Sequence, residues 1–213
     1  MIHSSVKDNW TRLEIIHSVA REYFNFTADS DFRQRMNNRG NLFPFYPSEF
    51  EQMEKESCLV GMVMVWSVVT LESLVNHALA VTFNDKDSAI EAIEYPKNAI
   101  NRLKIKTKSK SELAKKISIL ASAKDTKCTV LELADNLADT RNSIVHDKPF
   151  SLFENGEIEH FRHRGESEGG RFKFEQLGDF FEVCDNVKDF IVLNIDLESI
   201  DANDVNFGSL KVK

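Results

Sequence analysis

Leu59-Val60-Gly61-Met62-Val63-Met64-Val65-Trp66-Ser67-Val68-Val69-Thr70-Leu71 is the longest apolar stretch of the chain, and it ends at Glu72. Met62 to Val69 is β-prone when taken alone. The length of the segment and the regular spacing that follows favour a helix running from Ser48, an N-cap with Glu51 three positions on, to about Phe83. Thirteen residues are too few for a bilayer, which needs about 20, so the run reads as the core of a soluble protein. A helix apolar on every side has to be enclosed by others. That requirement makes it the central element of an all-α bundle.

Outward from this helix the pattern remains mostly helical. Trp10, Leu13, Ile16 or His17, Ala20 and Phe24 recur at helical steps and predict an amphipathic helix over Val6 to Phe26. Asn37 to Asn41 is a turn cluster, and Phe43-Pro44-Phe45-Tyr46-Pro47 cannot hold a regular helix. Short helices are expected over 88–95, stopped by Pro96, over 97–104 and over 112–122. A longer one is expected over 126–147, ending before Pro149. The period then changes: Leu152-Phe153, Asn155-Gly156 and Ile158 to Phe161 predict a β-hairpin, within about 151–164. Phe174 to Leu193 is a last amphipathic helix, and the tail beyond Ser199 is expected to fray. Residues 1–199 thus form one domain, and 200–213 form a C-terminal tail.

Composition agrees with a single globular domain. The 213 residues are 42% hydrophobic, with eight Gly and four Pro. Cys58, Cys128 and Cys184 are odd in number and scattered. They suit neither a disulfide framework nor a zinc clamp, and a cytoplasmic setting is expected. No charged leader precedes an apolar block at the N-terminus, so no signal peptide is expected. The net charge of −7 conceals an asymmetry. Ten basic residues against two acids between Lys97 and Lys127 give +8, whereas residues 175–204 carry −8. A basic segment on an acidic protein attracts polyanions locally, although a solvated helix face explains it equally well.

The segment that carries chemistry follows Thr126. Its apolar stripe runs Val130, Leu133, Ala134, Leu137, Ile144 and Val145, and position 141 falls on the same stripe. That position is Arg141. A guanidinium facing a core needs a carboxylate or a polar interface. Asn142 follows it, and His146 lies one turn beyond Asn142. Arg141 and His146 are about 140° apart around the helix, yet an Arg side chain and a His in the last turn can reach one cleft. Glu72 and Asn76 share a face of the central helix. Arg141 can equally be a structural partner of Glu72 or Asp139, and His146 can sit where the helix macrodipole favours it. His160 and His163 would face opposite sides of a strand, which disfavours metal binding.

Arg141-Asn142-Ser143-Ile144-Val145-His146 resembles the R-x-x-x-x-H signature of the HEPN superfamily, in the form where a polar Asn follows the Arg. The helix bearing Glu72, Ser73 and Asn76 is similar to the acidic-plus-polar helix of many members. The resemblance spans roughly residues 1–195, but its specific part is six residues long. It implies a helical bundle of four or five helices, here with the hairpin inserted between the motif helix and the last one. It also implies metal-independent RNA cleavage that leaves a 2′,3′-cyclic phosphate. Such a protein acts as a homodimer with a composite site and needs no cofactor.

In that reading Arg141 and His146 are catalytic, Asn142 assists, and Glu72 and Asn76 support them. Lys104, Lys106, Lys108, Lys110 and Lys148 contact the RNA backbone. The implied setting is a toxin or an antiphage or stress effector, with an antitoxin or partner protein as a possible companion. Lys148 stands where toxins paired with a nucleotidyltransferase antidote usually have Tyr, which argues against that pairing. Two rivals remain. One is a non-catalytic helical module for dimerisation or protein interaction. The other is a nucleotide-binding bundle, for which the sequence has no Gly-rich phosphate loop.

Overall fold

The apolar run folds as the middle of one 36-residue helix, Pro47–Thr82. The structure is a computed structural model that describes residues 2–28, 47–146, 150–154, 157–161, 172–194 and 205–211. Among the described residues there are seven α-helices: α1 (Ile2–Ala28), α2 (Pro47–Thr82), α3 (Lys86–Glu94), α4 (Pro96–Arg102), α5 (Glu112–Ala123), α6 (Leu131–His146) and α7 (Leu177–Leu193). The strands β1 (Phe150–Glu154) and β2 (Glu157–Phe161) pair antiparallel, with Phe150 opposite Phe161. The turn at Asn155-Gly156, together with His163, lies outside the described residues.

The central position of α2 follows from its composition. Val60, Val63, Met64, Val68, Leu71, Leu74, Val75, Ala78 and Leu79 are all buried, and α1, α3, α5, α6 and α7 pack around it. The helix extends the apolar run at both ends. By length and composition alone Glu54–Thr82 could therefore cross a membrane, which the thirteen-residue run could not. Most of its apolar window is buried by the other helices, as in a bundle core. α2 starts at Pro47, where a ring-fixed φ suits a first turn, and Glu51 pairs with Lys55 at 2.7 Å.

Local chemistry sets the other helix ends. The Asp85 side chain accepts from Ser88 N at 2.7 Å and caps α3. Pro96 begins α4 and does not merely stop α3. Lys104 (φ 55°) and Asp125 (φ 50°) adopt the left-handed conformation just past α4 and α5. The next amides, Ile105 N and Thr126 N, reach back to Ile100 O and Ala121 O at 3.0 and 2.9 Å, closing both ends in the Schellman manner. This second closure corrects the expected start at Thr126. The chain leaves α5 sharply and becomes helical again only at Leu131. Val145, expected on the apolar stripe, is exposed.

The α1 stripe forms as its spacing predicts, with His17 as the buried member at that turn and Ile16 only partly covered. His17 lies against Phe174 and Phe181, with ring centroids 5.8 and 5.7 Å away. Phe174 is itself placed by α2. Its amide donates to the buried Glu56 carboxylate at 2.9 Å, and Phe172 N donates to Ser57 Oγ at 3.1 Å. The tail also departs from expectation. Phe207 is fully buried in a short 3-10 turn, edge-on to Trp10 at 5.4 Å and beside Phe181 at 6.2 Å. Residues 205–211 are therefore part of the domain, because an apolar pocket between α1 and α7 repays their ordering.

Candidate functional site

Arg141 does face α2, as its place on the stripe requires. Its Nη2 donates to Glu72 Oε1 at 2.7 Å, and the two side chains keep 29% and 23% of their surface in solvent. Of the two carboxylates offered to Arg141 by the sequence, Glu72 is the one that takes it. The pair occupies a seam between α2 and α6 that is partly open to water. Asn76 is one turn along α2 from Glu72. Among the described residues, the buried Asn76 Oδ1 and Arg141 Nε have no hydrogen-bond partner.

A third charged group completes the cluster. Lys116 on α5 is buried, and burial pushes its ammonium pKa below the usual lysine value, with Arg141 adding to the effect against the pull of Glu72 and Glu112. Burial likewise raises the Glu72 carboxyl above the usual glutamate value, opposed by Arg141 and Lys116 and reinforced by Glu112. Glu72 is thus hydrogen-bonded to Arg141 and within electrostatic range of Lys116. Lys116 was legible in principle, since it sits between Leu113 and Leu120 on the apolar stripe of α5 by the spacing that exposes Arg141.

Asn142 points elsewhere, because successive residues are about 100° apart on a helix. It lines a cleft of about 600 Å³ with Lys108, Ser109, Lys110, Ser111, Leu131 and Asn136, and with the acids Glu132, Asp135 and Asp139. One wall is the loop before α5. Asp135 holds it by accepting from Lys110 N at 3.1 Å and Ser111 N at 2.7 Å, and Ser111 in turn caps α5 through Ala114 N. His146 closes α6, one turn on from Asn142. The His146 side chain, and Lys148 entirely, lie outside the described residues.

The basic segment is less free than its count suggests. Arg102 is paired with Glu91 at 2.6 Å, Lys115 donates to Lys110 O at 2.7 Å, and Lys116 is buried within electrostatic range of Glu72. Lys104, Lys106, Lys108 and Lys110 are exposed, and the last two border the cleft opposite the three α6 acids. Position therefore brings Arg141, Glu72, Asn76 and Lys116 into one seam, and Asn142, Lys108 and Lys110 into the adjoining cleft. Among the described residues, no group of three or more His, Cys, Asp or Glu is placed to hold a metal ion. Comparison with protein-family models, with curated proteins and with solved structures gives no match for this chain.

Proposed function

We propose that the chain is a metal-independent endoribonuclease of the HEPN type, acting as a homodimer in a toxin or antiphage setting. The observation that carries this reading is the state of Arg141. It occupies a core-facing position, yet it stays partly in solvent beside Glu72, one residue before the Asn142 that lines the cleft. A guanidinium held this way is preoriented for a phosphate. In the reaction the ribose 2′-oxygen attacks phosphorus and the bond to the 5′-oxygen breaks. His146 takes the 2′-OH proton, and a second imidazole, from the other protomer, protonates the leaving oxygen. Arg141 stabilises charge on the phosphorane-like transition state and Asn142 orients the reacting groups. Lys104, Lys106, Lys108 and Lys110 touch phosphates on the rim, so binding falls steeply with salt.

The test is RNA cleavage by the purified chain in the presence of chelator, with Arg141→Ala and His146→Ala alongside. Products ending in 2′,3′-cyclic phosphate and 5′-hydroxyl, lost in both variants, support the reading. An intact wild-type dimer that is inert on every RNA tried ends it. A second reading has its own observation: the 2.7 Å Arg141–Glu72 bond is what a non-catalytic helical module would use to lock α2 to α6. In that case Arg141→Ala lowers stability and no RNA is cut by either protein.

A further inference from the structure

We infer that the cleft along α6 is a guanine-selective base subsite, in which the Asp139 carboxylate receives the two adjacent N–H groups of the base and the Asn136 amide meets its O6. That the guanine belongs to an RNA strand rests on the nuclease reading; the preference of the cleft for this base over the other three does not.

The two walls of the cleft carry opposite charge. Lys108 and Lys110 stand on the loop before α5, and Glu132, Asp135 and Asp139 line the α6 side. A site for phosphate alone would be cationic throughout, since a carboxylate repels the anion. A site for a simple cation would not set two ammonium groups opposite the acids. The arrangement suits a ligand that is anionic at one end and offers hydrogen-bond donors at the other, as a nucleotide does. The volume of about 600 Å³ has room for one, since small-molecule sites run from about 300 to 1,000 Å³.

The α6 wall narrows the choice of base. Glu132, Asp135, Asn136, Asp139 and Asn142 lie within about 120° around the helix, so they form one face. Asp135 is occupied by the amides of Lys110 and Ser111. Asp139 is exposed, and among the described residues its carboxylate has no hydrogen-bond or ion-pair partner. Asn136, one turn before it, lines the same cleft, and among the described residues its buried Nδ2 has no acceptor. A buried donor without a partner calls for a reason, and a ligand acceptor supplies one. The face thus presents a free two-oxygen acceptor and an unused donor on neighbouring turns, close enough to share one base edge.

Of the four RNA bases only guanine matches that pair. Its Watson–Crick edge offers N1–H and N2–H side by side, which the two oxygens of one carboxylate accept together, with the acceptor O6 next to them. Uracil has a single N–H between two acceptors. Adenine and cytosine set an amino group beside an acceptor nitrogen, which a carboxylate repels. With the base on α6, the phosphate end is left for Lys108 and Lys110 across the cleft. Asn142, on the same face, directly follows Arg141 in the chain, so the subsite and the motif share one helix.

Isothermal titration calorimetry of the purified chain with the 3′-monophosphates of guanosine, inosine, adenosine, cytidine and uridine tests the inference. The guanosine ligand should bind about tenfold or more tighter than those of adenosine, cytidine and uridine, and inosine, which lacks the N2 amino group, should fall between. Asp139→Asn sets an amide donor against the base and should erase the guanosine advantage, with circular dichroism unchanged because the position is exposed. Absent or equal binding of the nucleotides, a guanosine preference that survives Asp139→Asn, or spermidine binding tighter than any nucleotide overturns it. Mapping of RNA cleavage sites separates this subsite from the nuclease reading. RNA cut without regard to guanosine sinks the subsite and keeps the nuclease, whereas guanosine binding by a chain that cuts no RNA upholds the subsite and sinks the nuclease.

Discussion

Removing Glu72 should destabilise the protein more than removing Arg141, although the two form a single ion pair. The asymmetry comes from Lys116. In Arg141→Met the Glu72 carboxylate loses its hydrogen-bonded partner but keeps the buried ammonium close enough to shift its pKa. In Glu72→Gln two cations in one seam lose the carboxylate they share. Exposed pairs are worth about 0–1 kcal/mol, and breaking a fully buried pair costs about 3–5 kcal/mol. With roughly a quarter of each side chain in water, Arg141→Met should cost about 1–2 kcal/mol and Glu72→Gln about 2–3 kcal/mol. The double variant should fall short of the sum by about 1–2 kcal/mol, the coupling of one charge-assisted hydrogen bond. Urea unfolding followed by circular dichroism at neutral pH measures all three. Equal costs for the two single variants, or a coupling below about 0.3 kcal/mol, would refute the shared-carboxylate account.

Three further expectations concern the frame around the site. Burial, with a smaller contribution from Arg21, lowers the His17 pKa below its usual 6.5. The unfolded chain then binds more protons in acid, so this stabilisation is complete above 6.5 and is lost as pH falls through the lowered value. Replacing the ring by Phe should flatten that part of the stability–pH curve, and an unchanged slope would contradict the assignment. Phe207→Ala should cost about 3–5 kcal/mol and alter the fluorescence of Trp10, which it touches; a loss below about 1 kcal/mol would mean that the tail does not dock. Gly61 lies inside α2, and a Cβ there would meet Ile144 at 3.4 Å and Phe172 at 3.6 Å, ordinary contact. Gly61→Ala should therefore raise stability by about 0.5–1 kcal/mol in the same urea assay, whereas a decrease would show that α2 and α6 approach more closely there.

The helical architecture was readable because its signals are local. An all-round apolar run has to be central, apolar residues at three- and four-residue steps mark α1, and Pro96 marks the break between α3 and α4. What escaped depends on tertiary partners. Phe207 looks like part of a polar tail until α1 and α7 provide a pocket. Glu56 is one of several acids in its segment, and only the fold brings the Phe174 amide to it. The delayed start of α6 comes from a left-handed Asp125, a conformation that no motif announces. Within the site, the apolar stripe singled out Arg141 because a charge interrupted it. Lys116 interrupts α5 in the same way, but it is one of ten basic residues between Lys97 and Lys127, and the segment's summed charge hides its place on the stripe. The α6 acids opposite Lys108 and Lys110 were likewise invisible to a count along the chain, since they face the lysines only across the cleft.

The tether between Asp135 and the loop has a consequence for how such a cleft can diverge. Among the described residues Asp135 grips main-chain amides and no lysine side chain, so the loop's position is indifferent to what projects from it. Relatives of this chain could exchange the rim's lysines for neutral, acidic or aromatic residues one at a time and keep the opening's shape. Ligand preference and scaffold integrity are thereby separable by mutation, and the carboxylate at 135 is the position where that independence would end.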